Sequence, residues 1–211
     1  MASMGRQVRA TDGFGLLFVC TGNICRSPFA EILTRHLLVG RLGGRGAAAF
    51  DVSSAGVQAV VGSPMHELTR SELAPWRLDG LAAERFVARP LRAAMVREVD
   101  LVLGLTVRHR SAVIDREPAA LAHCFSLREF ARLAAEVEPA ALPDHPVARA
   151  HALVGEVRNR RGQAAPTLPD ADRVPDPMGG PAEAHHAAAV LIQEAVSGLV
   201  DAIAPRRVAV R

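Results

Sequence analysis

The sequence predicts an α/β fold: a three-layer sandwich with a four-stranded parallel sheet flanked by helices, and a phosphate-binding loop after strand one. Three observations predict it. Short apolar runs of the kind buried in parallel sheets alternate with helical patterns along the 211 residues. The first run, Leu16-Leu17-Phe18-Val19, leads straight into Cys20-Thr21-Gly22-Asn23-Ile24-Cys25-Arg26-Ser27-Pro28, and a helical pattern leaves it at Phe29. Near the end, Leu191, Ile192, Ala195, Val196, Leu199, Val200 and Ile203 recur at helical spacing. Strands alternating with helices imply right-handed crossovers and a site at the carboxyl ends of the strands.

In order, residues 1–13 read as a flexible leader and 206–211 as a flexible tail, around a single domain at 14–205. Strand one is 16–19 and helix one 27–39, with the glycine-rich 40–46 turning the chain. Strand two is about 50–53. Residues 63–74 read as a helix closed by Pro75-Trp76, and 90–99 as another. Strand three is 101–103, followed by a helix at 106–116. Strand four, about 122–125, carries Cys124 and precedes a helix at 127–135. Residues 136–174 form an insertion rich in Pro, Ala and Arg. Within it Val147, Ala150, Val154 and Val157 predict one amphipathic helix ended by Gly162, with Arg158, Arg160 and Arg161 clustered at its end. The segment reads as solvated; the other reading is a lid or partner surface.

Composition narrows the function classes. A hydrophobic content of 49% is enough for one domain with a core. No stretch reads as membrane-spanning, and 1–13 lacks the apolar segment of a signal peptide. Three cysteines, one of them in a reactive setting, point to a reducing, cytoplasmic compartment. The net charge of +3 comes from interspersed charges, so nucleic-acid binding is not expected. No cofactor is expected either.

The loop carries the chemistry. A phosphate at a strand end is held by backbone N–H groups and a helix N-terminus. Gly22 is expected to supply the unusual dihedrals the loop needs, and Asn23 to brace it from inside. Arg26 offers a planar fork to two phosphate oxygens. Ser27 is the expected helix N-cap, with Pro28 at the first helical position. Residues Thr21, Gly22, Asn23, Ile24, Cys25, Arg26 and Ser27 are the predicted phosphate-binding set. Cys20 sits beneath the N–H ring, a setting that favours a thiolate nucleophile. A cysteine and an arginine at this spacing alone would be weak evidence; the full string between a strand and a helix is specific.

Other residues receive plainer readings. Cys25 either packs under the loop or acts as a redox partner, condensing with a Cys20 sulfenic acid after peroxide attack. His185-His186 reads as a solvated helix start, since no matching ligand cluster is visible and no metal is expected. His145 and His151 gain nothing from their spacing. Trp76 and Cys124 read as packing residues.

The loop string resembles the signature of the low-molecular-weight protein tyrosine phosphatase family, which includes arsenate reductases and bacterial arginine phosphatases. Asp51-Val-Ser-Ser-Ala-Gly56, residues 100–106 with Arg108-His109-Arg110 after them, residues 125–133, and Asp176-Pro177 are similar to further segments of that family. The resemblance covers about 16–133 and 175–204. It implies that Asp176 hangs over the loop as general acid; Asp170 and Asp172 lie close by, and the residues alone do not choose among them. It implies hydrolysis of a phosphate monoester, foremost protein phosphotyrosine, through a cysteinyl-phosphate intermediate. The partners it implies are a phosphorylated protein or a small phosphate ester, with inorganic phosphate in the site.

The alternative is an arsenate reductase using an external thiol. The thioredoxin-coupled form needs two further cysteines, and only Cys124 lies outside the loop. A protein-arginine phosphatase ranks lower, because that branch carries Thr where this loop has Ile24, as does a non-catalytic phosphate-binding module. The chain also departs from the family in its cleft walls. Met178-Gly179-Gly180 and residues 57–62 stand where relatives place aromatic rings that stack on a phenyl group.

Overall fold

The computed structural model describes residues 13–161, 163 and 170–206. The expected leader up to residue 12, the tail from 207 and the helix stop at Gly162 lie outside them. In chain order the elements are β1 (Phe14–Cys20), α1 (Arg26–Ala47), β2 (Phe50–Gly56), α2 (Glu67–Ser71), α3 (Leu81–Glu84), α4 (Ala93–Arg97), β3 (Leu101–Gly104), α5 (Val107–Arg116), β4 (Cys124–Ser126), α6 (Leu127–Ala135), α7 (Pro146–Arg161) and α8 (Ala182–Ile203).

The four strands form one parallel sheet in the order β2-β1-β3-β4. Strand β1 is central and buried along its whole length. Its side chains alternate between two cores. Leu16 and Phe18 join Phe29, Phe125, Val157 and Val196 on one face. Leu17 and Val19 join Val96, Val102 and Val113 on the other. A strand covered on both faces needs apolar residues at every position, which is why it reads as an unbroken run. Each such side chain contributes about 1.5–3 kcal/mol by leaving water. Helices α1, α6, α7 and α8 build the first face, and α4 and α5 the second.

Several boundaries differ from expectation, each for a local reason. Helix α1 continues through Gly40 and breaks only at Gly43, whose φ of 69° is left-handed. The helix expected at 63–74 shrinks to α2, followed by a 3-10 turn at Ala74–Trp76, because Pro75 donates no N–H. That expected at 90–99 shrinks to α4, because the chain around Pro90 runs extended beside β2. There Gly56 N–H donates to Arg89 O at 3.0 Å and Leu91 N–H to Gly56 O at 2.8 Å. Residues Pro118–Ala122 are a 3-10 turn, so β4 starts only at Cys124.

Two larger readings are corrected. Helix α8, 22 residues with an 18-residue stretch of mean hydropathy 1.3, is long and apolar enough to cross a membrane by length and composition, which the sequence reading missed. Here its apolar stripe, including Ile192, Val196, Leu199 and Ile203, is buried in the first core. The 136–174 segment is not simply a solvated insertion. Helix α7 buries Val147, Ala150, Leu153 and Val157, with Val154 only half-buried. Buried Arg149 donates to Ala202 O at 2.7 Å and to Leu142 O, Pro143 O and Pro139 O at 3.2–3.3 Å, tying α7 to the end of α8. Arg161 covers the Phe125 ring at 3.6 Å and pairs with Glu129 at 2.8 Å.

Candidate active site

The loop between β1 and α1 uses its carbonyls to hold its shape. Cys20 O, Thr21 O, Gly22 O and Ile24 O accept from the N–H groups of Val57, Gln58, Val60 and His66 at 2.7–3.0 Å. Gly56 allows this approach, since a Cβ there would lie 2.5 Å from Thr21 O. The left-handed position in the loop is Asn23, with φ 56°, rather than Gly22. Asn23 is completely buried, and its amide accounts for that conformation. Its Nδ2 donates to Ser27 Oγ and Ser54 Oγ at 2.9 Å each, and its Oδ1 accepts from Arg89 N–H at 2.9 Å.

Ser27 is not the helix cap. Cys25 holds that position without a side-chain cap, and the Ser27 hydroxyl turns toward Cys20, 2.9 Å from Sγ. Because Ser27 Oγ accepts from Asn23, its proton is left for the sulfur. Cys20 Sγ also accepts from Asn23 N–H at 3.3 Å. The Ser27 hydroxyl and the Asn23 N–H thus both face one buried sulfur.

Arg26 is only 4% exposed and reaches out of the loop. It donates to Val174 O at 3.3 Å, Thr21 Oγ1 at 3.5 Å and Asp176 Oδ2 at 2.5 Å, while its Nε has no partner among the described residues. Asp176, 43% exposed, also accepts from Met178 N–H at 3.2 Å. Val174 N–H donates to Leu105 O at 3.0 Å, which hangs this segment on the end of β3. Of the three nearby aspartates, Asp172 pairs with Arg132 at 3.1 Å and Asp170 with Arg173 at 3.6 Å, so Asp176 is the one that meets Arg26.

The sequence reading passed over His109. Its Nε2 lies 3.0 Å from Thr21 Oγ1 and its Nδ1 3.1 Å from Thr106 Oγ1. The available signal was Thr106 capping a helix right after strand three, with His109 three positions on, at the carboxyl end of the sheet. Burial, and next the Arg26 charge, push the imidazole down to about 4 from 6.5. The folded state therefore holds it neutral, whereas the unfolded chain takes up a proton below 6.5. This contribution to stability is complete above pH 6.5 and is lost as pH falls toward 4. From pH 7 to pH 5 the loss is about 2 kcal/mol. His109→Asn is expected to remove that part of the pH dependence in urea unfolding at the two pH values. Equal pH dependence in both proteins would show that His109 does not titrate this way.

A cleft of about 620 Å³ opens over the loop. Arg108, Arg116 and Arg173 line it beside Arg26, His109 and Asp176, and no Phe or Trp does. Cys124 is remote in chemistry as well as sequence. It packs in the core of the opposite face from Cys20, and burial pushes its thiol up to about 12. Burial likewise pushes the Cys25 thiol up to about 11. His185 is not solvated: it is fully buried and stacks on His66, with centroids 4.6 Å apart, and His186 instead meets Glu72 at 2.9 Å. Trp76 packs edge-on against Phe29.

Residues 15–168 match the family model for low molecular weight phosphotyrosine protein phosphatase. The chain belongs to that family. Within the phosphatase family, it is 38% identical over 103 residues to the low molecular weight protein-tyrosine-phosphatase Etp of Escherichia coli K12, covering 49% of this chain and 62% of Etp. It is 32% identical over 119 residues to the protein-arginine-phosphatase of Bacillus subtilis, covering 54% of this chain and 71% of that protein. The chain thus spans less than two thirds of Etp's own length. The crystal structure of the Erwinia amylovora tyrosine phosphatase AmsI shares the fold, with a TM-score of 0.61 and 21% identity over 93% of this chain and 96% of that one. The family match ends before Asp176.

Proposed function

We propose that this protein is a phosphatase that hydrolyses phosphate monoesters, protein phosphotyrosine foremost, through a phosphate ester of Cys20. The observation that carries this reading is the convergence on one cleft of the doubly hydrogen-bonded Cys20 sulfur and the Arg26–Asp176 pair, 2.5 Å apart. The incoming phosphate replaces the Asp176 carboxylate as the partner of Arg26, whose fork and free Nε hold its oxygens. The Cys20 thiolate attacks phosphorus; the S–P bond forms, the P–O bond breaks, and Asp176 gives its proton to the leaving oxygen. Water then attacks the thiophosphate and passes a proton back to Asp176. The S–P bond breaks to release inorganic phosphate and the thiolate. His109 acts through Thr21, fixing that hydroxyl beside Arg26.

The arginine-lined cleft without flat aromatic walls favours an acidic phosphorylated segment over a bare phenyl ring. Cys124, on the far side of the sheet, cannot relay a disulfide outward, so reduction of arsenate would need an external thiol. Three unpaired cysteines support a cytoplasmic setting. The deciding assay compares purified protein on phosphotyrosine, phosphoarginine and phosphoserine peptides, and on arsenate with small thiols. Phosphotyrosine turnover is expected to lead, and faster phosphoarginine turnover or arsenate reduction would replace this reading.

Asp176→Asn is expected to slow poor leaving groups such as alkyl phosphates by about 10²–10⁴-fold, the usual worth of a placed acid. A good leaving group departs without a proton and should lose far less. A leaving-group series with equal losses throughout would move the acid elsewhere, with Asp170, which also lines the cleft, the next candidate.

A further inference from the structure

Behind the loop, on the side of α2 and α8, lies a cluster that phosphate chemistry does not use. Cys25, His66 and His185 each present a donor atom, all within 4.8 Å of one another. His185 is completely buried, yet its Nε2 has no hydrogen-bond partner among the described residues; nor has the buried Nδ1 of His66. Two orphaned ring nitrogens are costly unless something binds them. Thr69 organises the group. Its Oγ1 lies 2.6 Å from His185 Nδ1. One ring nitrogen of His185 is thus held by a side chain of α2. Nε2 is left without a partner among the described residues, the arrangement in which imidazole binds a metal with its other nitrogen held by a second residue.

We propose that Cys25, His66 and His185 form a binding site for a transition-metal ion of the zinc type. One thiolate and two imidazoles suit that ion, which takes sulfur at about 2.3 Å and nitrogen at about 2.0–2.1 Å. Tetrahedral donors at those bond lengths lie about 3.3–3.6 Å apart, so a pair at the 4.8 Å limit must close by roughly 1.2–1.5 Å. Three protein donors leave a fourth position for water. On binding, the Cys25 S–H bond breaks and its proton goes to solvent as the S–metal bond forms. His66 N–H is already bonded to Ile24 O at 2.7 Å, so the ion would clamp the loop from below to both α2 and α8. A metal-bound Cys25 cannot condense with an oxidised Cys20, so occupancy and the loop disulfide exclude each other.

The test uses the full chain freed of metal by a chelator, with cobalt(II) and zinc(II) as probes. The parent is expected to take up one cobalt per chain, with thiolate-to-metal charge-transfer absorption that zinc abolishes by displacement. Cys20→Ser should keep that absorption, whereas Cys25→Ser and His185→Phe should lose it. Thr69→Val should weaken binding about 10–100-fold, the usual effect of removing an outer partner. No absorption in the parent, or absorption kept in Cys25→Ser and lost in Cys20→Ser, would overturn the proposal. The readout involves no substrate, so it stands or falls apart from the phosphatase assays.

Discussion

Cys20→Ser is expected to abolish turnover of p-nitrophenyl phosphate, by about 10⁵-fold or more, while inorganic phosphate still binds. The scale is that of removing a covalent nucleophile. The reason lies in how little else the change disturbs. The loop's carbonyls are held by the 57–66 segment, and Asn23 is held by Ser27, Ser54 and Arg89. None of those bonds involves the Cys20 side chain, so the cradle should persist. Serine cannot ionise at neutral pH, and no imidazole contacts Cys20 Sγ to act as its base. Phosphate binding measured by calorimetry, beside turnover, separates the two effects. A serine variant that turns over near the parent's rate would rule out thiolate attack.

Arg26→Lys is expected to cost about 10²–10³ in kcat/KM, comparable to losing one preorganised donor to a developing charge. Charge alone is conserved by this substitution, so geometry decides. Arg26 reaches Val174 with Nη1 and both Thr21 and Asp176 with Nη2, and its Nε has no partner among the described residues. A single ammonium cannot hold that span and also present a planar fork. It should also loosen the 174–176 segment, so the loss should appear in kcat as well as KM. Activity within about threefold of the parent would show that Arg26 supplies only charge.

The loop was readable because its parts are contiguous: the seven residues from Cys20 to Arg26 encode a strand end, a turn and a helix start. Its inner wiring was less so. Gly22 is the residue that tolerates any dihedral, yet Asn23 takes the left-handed one, because only its amide can satisfy Ser27, Ser54 and the Arg89 N–H together. Ser27 had the look of a cap, but the nearby sulfur competed for its hydroxyl. Helix α7 looked solvated because alanine and arginine dominate it. Arg149 is buried nonetheless, since four carbonyls converge on one guanidinium, and neighbouring letters do not reveal such partners. The cluster of Cys25, His66 and His185 was invisible for the same reason: Thr69 and His185, which touch, are 116 positions apart.

The ion pair between Arg26 and Asp176 joins residues 150 positions apart. Cys20, the proposed nucleophile, is therefore made early in synthesis and Asp176, the proposed acid, late. Between them lie the sheet, α6 and α7, and the core that α8 completes only after Asp176 has emerged. A partly made chain has the Cys20 thiol but neither the carboxylate that pairs with Arg26 nor the last helix that packs into the same core. Closing so long a loop delays the contact until other structure has formed. On the proposed mechanism, competence for chemistry thus arrives at the end of folding, and a nascent or truncated chain would be bystander rather than catalyst.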